Sequence, residues 1–203
     1  MNASESANII DNEIQPMPLK TRLNRRRFIQ YGVGATTALA IPKAFAHTKL
    51  KPPAIKDRKL SFYNLHTGES LTTSYWAEGQ YQNSELTAIN YILRDFRTGD
   101  IHPIDKRLLD LLHQLHHKID SKQAFQVISG YRSPKTNAAL RKHSHGVARH
   151  SQHMLGKAID IRLPDCHLAT LRKTAMQCRA GGVGYYPASN FVHIDTGRVR
   201  HWG

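Results

Sequence analysis

The chain has 203 residues, with 29 Lys/Arg against 15 Asp/Glu, a formal charge of +14, and 22 % charged residues. That length suits one domain with an export leader, and the charge content with a negative mean hydropathy excludes an integral membrane protein. The positive charge favours polyanions, but no helix-turn-helix, zinc-finger or ribonucleoprotein motif is present, and an N-terminal leader points outside the cytoplasm, so an anionic cell wall is the expected partner and nucleic acid is not.

In chain order, Asn24-Arg25-Arg26-Arg27-Phe28-Ile29-Gln30 follows the pattern of a twin-arginine export signal. Residues 31–41 form an apolar run of about eleven residues, short of the ~20 that span a bilayer. Pro42-Lys43-Ala44-Phe45-Ala46 ends in a small-x-small site, which predicts cleavage after Ala46. Residues 1–46 are therefore assigned to a twin-arginine signal peptide, and the mature chain is expected in the periplasm without a transmembrane segment. That route carries folded proteins, which suits a metal site filled before export. Residues 47–58 are rich in Lys and Pro and read as a linker, leaving 59–203 as one domain.

Residues 60–65 and 70–75, joined at His66-Thr67-Gly68-Glu69, predict a β-hairpin. Ser84 is placed to cap a helix running to about residue 97, with Leu86, Ile89, Leu93 and Phe96 in one stripe. A second helix is predicted over 106–119, with Leu108, Leu111, Leu112, Leu115 and Ile119 inward. Residues 125–129 read as a strand. Ser133 then caps, and Pro134 opens, a third helix ending near residue 142. A His- and Arg-containing loop over 144–151 leads to a strand around Asp160, a helix over about 167–179, a Gly-rich strand over 183–186 and a last strand over 191–195. The expected fold is α+β, a small antiparallel sheet carrying the metal site with helices packed to one side. Cys166 and Cys178 stand at opposite ends of the fourth helix. Twelve helical residues span about 18 Å, too far for a bridge between them.

The chemistry concentrates in Ser151-Gln-His153-Met-Leu-Gly156-Lys-Ala158-Ile-Asp160 and Val192-His193-Ile-Asp195. Gly156 permits a tight turn. After it, Ile159 and Ile161 share one face of a strand and Asp160 takes the other. In the last strand Val192 and Ile194 point inward, and His193 and Asp195 outward. If the two strands pair, Asp160 and His193 stand side by side, about 5 Å apart at Cβ, with His153 on the preceding loop. Two imidazoles and a carboxylate are the ligand set of a catalytic zinc with one position open, although manganese or iron(II) suits the same ligand types. The thirteen histidines show no repeated ligand spacing, which sets aside a metal-storage role.

Ser-x-His-x-x-Gly-x-Ala-x-Asp resembles the signature of the LAS-type zinc peptidases, the group of lysostaphin and the D-alanyl-D-alanine metallopeptidases. Within it, the chain is similar to murein endopeptidase MepK and its homologues. That likeness runs through Asn64-Leu-His66-Thr-Gly68-Glu69-Ser70, Ser129-Gly-Tyr131-Arg132-Ser133, residues 179–187 and 189–197, and Arg200-His201-Trp202. The resemblance implies a LAS/Hedgehog-like fold and one Zn2+ per chain on His153, Asp160 and His193. It also implies hydrolysis of cross-linked peptidoglycan peptides, at the meso-diaminopimelate 3-3 (L,D) link. By the same resemblance, Arg132 would face the developing oxyanion or a substrate carboxylate.

The base does not carry over. Many relatives place a Glu three residues before the last ligand, where this chain has Asn190; another branch places a His two residues before it, where this chain has Phe191. Asp195, on the face of His193, and His201, if it folds back, are equal candidates, with His150 behind them. Asp195 has the second reading of a ligand-orienting group. A D-alanyl-D-alanine carboxypeptidase and a non-catalytic wall-binding module with a structural zinc are the alternative functions.

Overall fold

The computed structural model describes residues 56–144 and 146–203. The assigned leader, and the predicted linker up to residue 55, lie outside the described residues. The elements are β1 (Arg58–Asn64), β2 (Ser70–Ala77), β3 (Gln80–Tyr81), α1 (Asn83–Ile92), α2 (Lys106–Ile119), β4 (Phe125–Ser129), α3 (Pro134–His143), a 3-10 turn at Gln152–Leu155, β5 (Ala158–Arg162), α4 (Leu168–Cys178), β6 (Gly182–Tyr186), β7 (Phe191–Asp195) and β8 (Arg200–Trp202). No helix among the described residues is long and apolar enough to cross a membrane.

The fold is α+β, as expected, but the sheet is neither small nor wholly antiparallel. It has eight strands in the order β3-β2-β1-β4-β5-β7-β6-β8. The β1–β4 and β6–β8 pairs are parallel and the others antiparallel. Parallel neighbours need a long crossover, and α1 and α2 supply it between β1 and β4. The hairpin is therefore joined to the strands that carry the site.

Helix α2 occupies the predicted span, with Asp105 accepting from the Arg107 amide at its start. Ser133 accepts from the Thr136 amide and Pro134 opens α3. Helix α1 differs in two ways: Gln82 holds the N-cap position without a side-chain cap bond, and the helix stops at Ile92. The chain turns there because Asp95 is buried and accepts from the amides of Arg97 and Ser133, which ties this corner to the start of α3.

Period-two alternation decides which face each strand buries. Phe62, Phe125, Val127, Ile159, Ile161, Val192 and Ile194 join one apolar cluster with Ile89 of α1, Leu108 and Leu112 of α2, and Leu171 of α4. The other face of β5 and β7 carries Asp160, His193 and Asp195. The helices thus cover the apolar face and leave the opposite one for the site.

Candidate metal centre

Two adjacent strands and one tight turn build the centre. Asp160 stands directly opposite His193 in the antiparallel β5–β7 register, the pairing expected from alternation. His153 sits in the 3-10 turn, and its amide donates to the Ser151 hydroxyl at 3.3 Å. Gly156 closes that turn in the left-handed region at φ +63°, and a Cβ there would strike the Pro103 carbonyl. Any other residue would meet both an unfavourable backbone conformation and a clash.

Three donor atoms converge. His153 Nε2 lies 3.2 Å from His193 Nδ1 and 3.3 Å from Asp160 Oδ1, and His193 Nδ1 lies 2.8 Å from Asp160 Oδ1. A tetrahedral zinc with ligands at about 2.0–2.1 Å has ligand–ligand edges of about 3.3 Å, so the three residues fit a small divalent ion. The remaining ring nitrogens set the tautomers. His153 Nδ1 is 2.7 Å from the Gly130 carbonyl and His193 Nε2 is 3.1 Å from Asp195 Oδ2. Those oxygens only accept, so each imidazole carries a hydrogen on the outward nitrogen, and the inward nitrogen is the one a metal would take.

The electrostatics match. Burial alone would lower the His193 pKa, but hydrogen bonds to Asp160 and Asp195, with their charges, raise it to about 9. Burial would raise Asp160, yet His153 and His193 hold it well below the usual carboxylate range. Asp195 is likewise held low, against burial, by His193, Arg200 and the amides of Gly182 and Gly197. Without a metal, the cluster keeps an imidazolium between two carboxylates, and a divalent cation would replace that proton.

The other candidates separate sharply. Asp195 is fully buried and its acceptors are spent: Oδ1 accepts from Gly182 N, Gly197 N and Arg200 Nη1, and Oδ2 from His193 Nε2 and Arg200 Nη2. It orients His193 and is not placed to take a proton from substrate. His201 is not brought to the site. It pairs with Val183 in the parallel β6–β8 ladder, so alternation turns it to the opposite face and leaves it exposed, while Arg200 and Trp202 face the site. His150 lines the cleft beside the metal cluster. Asn190 sits in the β6–β7 turn at φ +53°, a conformation that Asn tolerates, with its amide donating to Pro187 O. The residue in the place of a base is here a turn former.

Arg132 lies at the cleft's other wall. Its Nη2 is 3.7 Å from Asp160 Oδ2 and 3.4 Å from Ser129 Oγ, and its buried Nε has no partner among the described residues. Burial pushes this guanidinium below its usual value, with the Asp160 charge opposing. Three contributors were not singled out from sequence: Arg200, Trp202 and the Gly130 carbonyl. The Arg-x-Trp spacing, which sets both side chains on one face of a strand, was the available signal for the first two; a backbone carbonyl leaves none.

A family model described as peptidoglycan L,D-endopeptidase MepK matches residues 52–202. The peptidoglycan L,D-endopeptidase MepK of Escherichia coli (strain K12) is 44 % identical to this chain over 180 residues, covering 88 % of the chain and 97 % of that protein. The protein of the same name from Shigella flexneri gives the same values. A probable peptidoglycan L,D-endopeptidase MepK from Haemophilus influenzae is 37 % identical over 180 residues, covering 88 % and 95 %.

Proposed function

This chain belongs to the peptidoglycan L,D-endopeptidase MepK family, and from that premise we propose that it hydrolyses peptide cross-links of peptidoglycan with a zinc ion held by His153, Asp160 and His193. The bond is the meso-diaminopimelate 3-3 (L,D) link. The observation that carries this reading is the convergence of three donor atoms within 3.3 Å of one another, with both imidazoles hydrogen-bonded on their outer nitrogens.

When bound, the ion would supply Lewis-acid polarisation of the scissile carbonyl and ease deprotonation of the attacking water. The chain's own residues do the rest. Asp195, clamped by Arg200, fixes the His193 ring. His150 faces the cleft without serving as a ligand, and its imidazole takes the proton of the attacking water and passes it to the leaving amine. Arg132 offers its unused donors to a carboxylate of the substrate, for which a planar guanidinium is suited. The excess of Lys/Arg favours the anionic wall. Residues 1–46 act as a twin-arginine leader that delivers the folded domain to the periplasm.

The test is digestion of purified sacculi with the purified protein, followed by separation of muropeptides. Loss of 3-3 dimers, stopped by a chelator and by His153→Ala, is the expected result. Loss of terminal D-alanine alone would make the protein a carboxypeptidase. No chelator-sensitive hydrolysis at all would make it a binding module.

A further inference from the structure

The register of β6 places a second aromatic constellation against the metal cluster. Gly184 pairs with His193 and Tyr186 with Phe191, so Tyr186 stands on the face of His193, one diagonal step away. Such diagonal neighbours lie about 7–8 Å apart, somewhat less at Cβ, within reach of a tyrosine side chain. The Tyr186 ring stacks on Phe191 with centroids 4.6 Å apart. On the other side of β6, Trp202 pairs with Gly184 and lays its indole across the space a side chain would fill; a Cβ there would lie 2.7 Å from Trp202 Cε2 and Cζ2. The indole reaches the His193 ring, with centroids 5.4 Å apart, and its Nε1 donates to the Tyr186 hydroxyl at 2.9 Å.

An indole nitrogen only donates, so in this bond the tyrosine oxygen accepts and keeps its own hydrogen free. Among the described residues that phenol makes no other hydrogen bond. It lines the cleft with His153, Asp160, His193 and Arg132. Arg132 belongs to the β4 side of the cluster and Tyr186 to the β6 side, so the two donors flank it.

We propose that Tyr186 is a catalytic residue that donates a hydrogen bond to the scissile carbonyl oxygen, and that Trp202 is the positioning residue that aims it. As water adds to the carbonyl carbon, the π electrons move to oxygen, and the phenol hydrogen meets that charge without leaving the phenol. When the C–N bond breaks, the electrons return and the bond to tyrosine relaxes. A fixed donor of this kind acts mainly on the transition state. The assignment rests on the endopeptidase reading and gives Arg132 to the substrate's carboxylate.

Tyr186→Phe removes one oxygen and leaves the stack on Phe191 possible. Expected is a fall in kcat of about 100-fold, the scale for one lost oxyanion donor, with KM within twofold. A phosphinate analogue of the cross-linked peptide, bound at equilibrium, should lose affinity by the same factor, while the cleaved peptide product should not. Zinc content and thermal midpoint should match the wild type. Trp202→Phe should lower kcat less, and the double variant should be no worse than Tyr186→Phe alone, because both remove one function. Wild-type kcat in Tyr186→Phe, a loss confined to KM, or loss of zinc from that variant would each overturn the assignment. Absence of wild-type turnover would instead overturn the endopeptidase reading beneath it.

Discussion

Arg200 grips both oxygens of Asp195, Nη1 to Oδ1 at 3.1 Å and Nη2 to Oδ2 at 2.7 Å, while the same Oδ2 lies 3.1 Å from Nε2 of His193. A cation five residues along the chain from Asp195 thus bears on the orientation of His193, a candidate metal ligand, through a carboxylate with no exposed surface. Loss of such supporting groups costs metal sites about 10–100-fold in affinity. Arg200→Gln is therefore expected to weaken zinc binding by that factor, measured by competition with a chromophoric chelator. It should also destabilise the fold by about 1–2 kcal/mol. That is below the 3–5 kcal/mol of a fully buried pair, because about a third of the Arg200 side chain remains in solvent. Unchanged affinity in this variant would mean that the backbone amides of Gly182 and Gly197 hold Asp195 alone.

The pH dependence of the centre has opposite signs with and without metal. In the metal-free protein the His193 pKa is raised to about 9 from 6.5. A raised folded-state pKa contributes stability that is fully present below about pH 6.5 and is lost as pH rises through about 9. Metal binding must displace that proton, so apparent affinity should rise about tenfold per pH unit up to about pH 9. Melting curves at pH 6, 7.5 and 9 check both: the metal-free midpoint should fall from this contribution over the range, and the increment gained on adding zinc should grow. A zinc increment that shrinks with pH would reject the ion pair as drawn.

Gly156→Ala tests the turn that presents His153. The left-handed backbone alone costs a non-glycine residue about 1 kcal/mol, and the added methyl runs into the Pro103 carbonyl. A loss of about 2–4 kcal/mol in denaturant unfolding is expected, with zinc affinity falling in step, since the turn and the ligand move together. Wild-type stability in this variant would show that the turn has room the geometry denies.

Local periodicity made the candidate ligands legible. The apolar residues of β5 and β7 alternate with Asp160 and His193, and a period-two pattern states both the face and the pairing. Capping chemistry marked α3, where Ser133 and Pro134 stand in sequence order. What escaped was non-local. Nothing within residues 58–64 announces a parallel neighbour at Phe125–Ser129. Helix α1 ends early because of Asp95, whose partner Ser133 is far along the chain. His201 looked free to fold back because β8 has three residues, too few to show alternation; its parallel pairing with β6 decides that Arg200 and Trp202, not His201, meet the site. Asn190 posed a missing-base problem in sequence, which its positive φ turns into a question of turn geometry.

The proposed base is tested by two histidine variants. His201→Ala should leave turnover on cross-linked peptides within about twofold, because the residue is exposed on the other face. Among the described residues, His150 is the imidazole that lines the cleft outside the His153–Asp160–His193 cluster. Its replacement by Gln keeps a polar group of similar reach but cannot accept a proton near neutrality. General-base catalysis contributes about 10²–10⁴-fold, so His150→Gln should lower kcat within that range while zinc content stays at wild-type level. A variant that keeps its rate would return the proton to another group in the cleft.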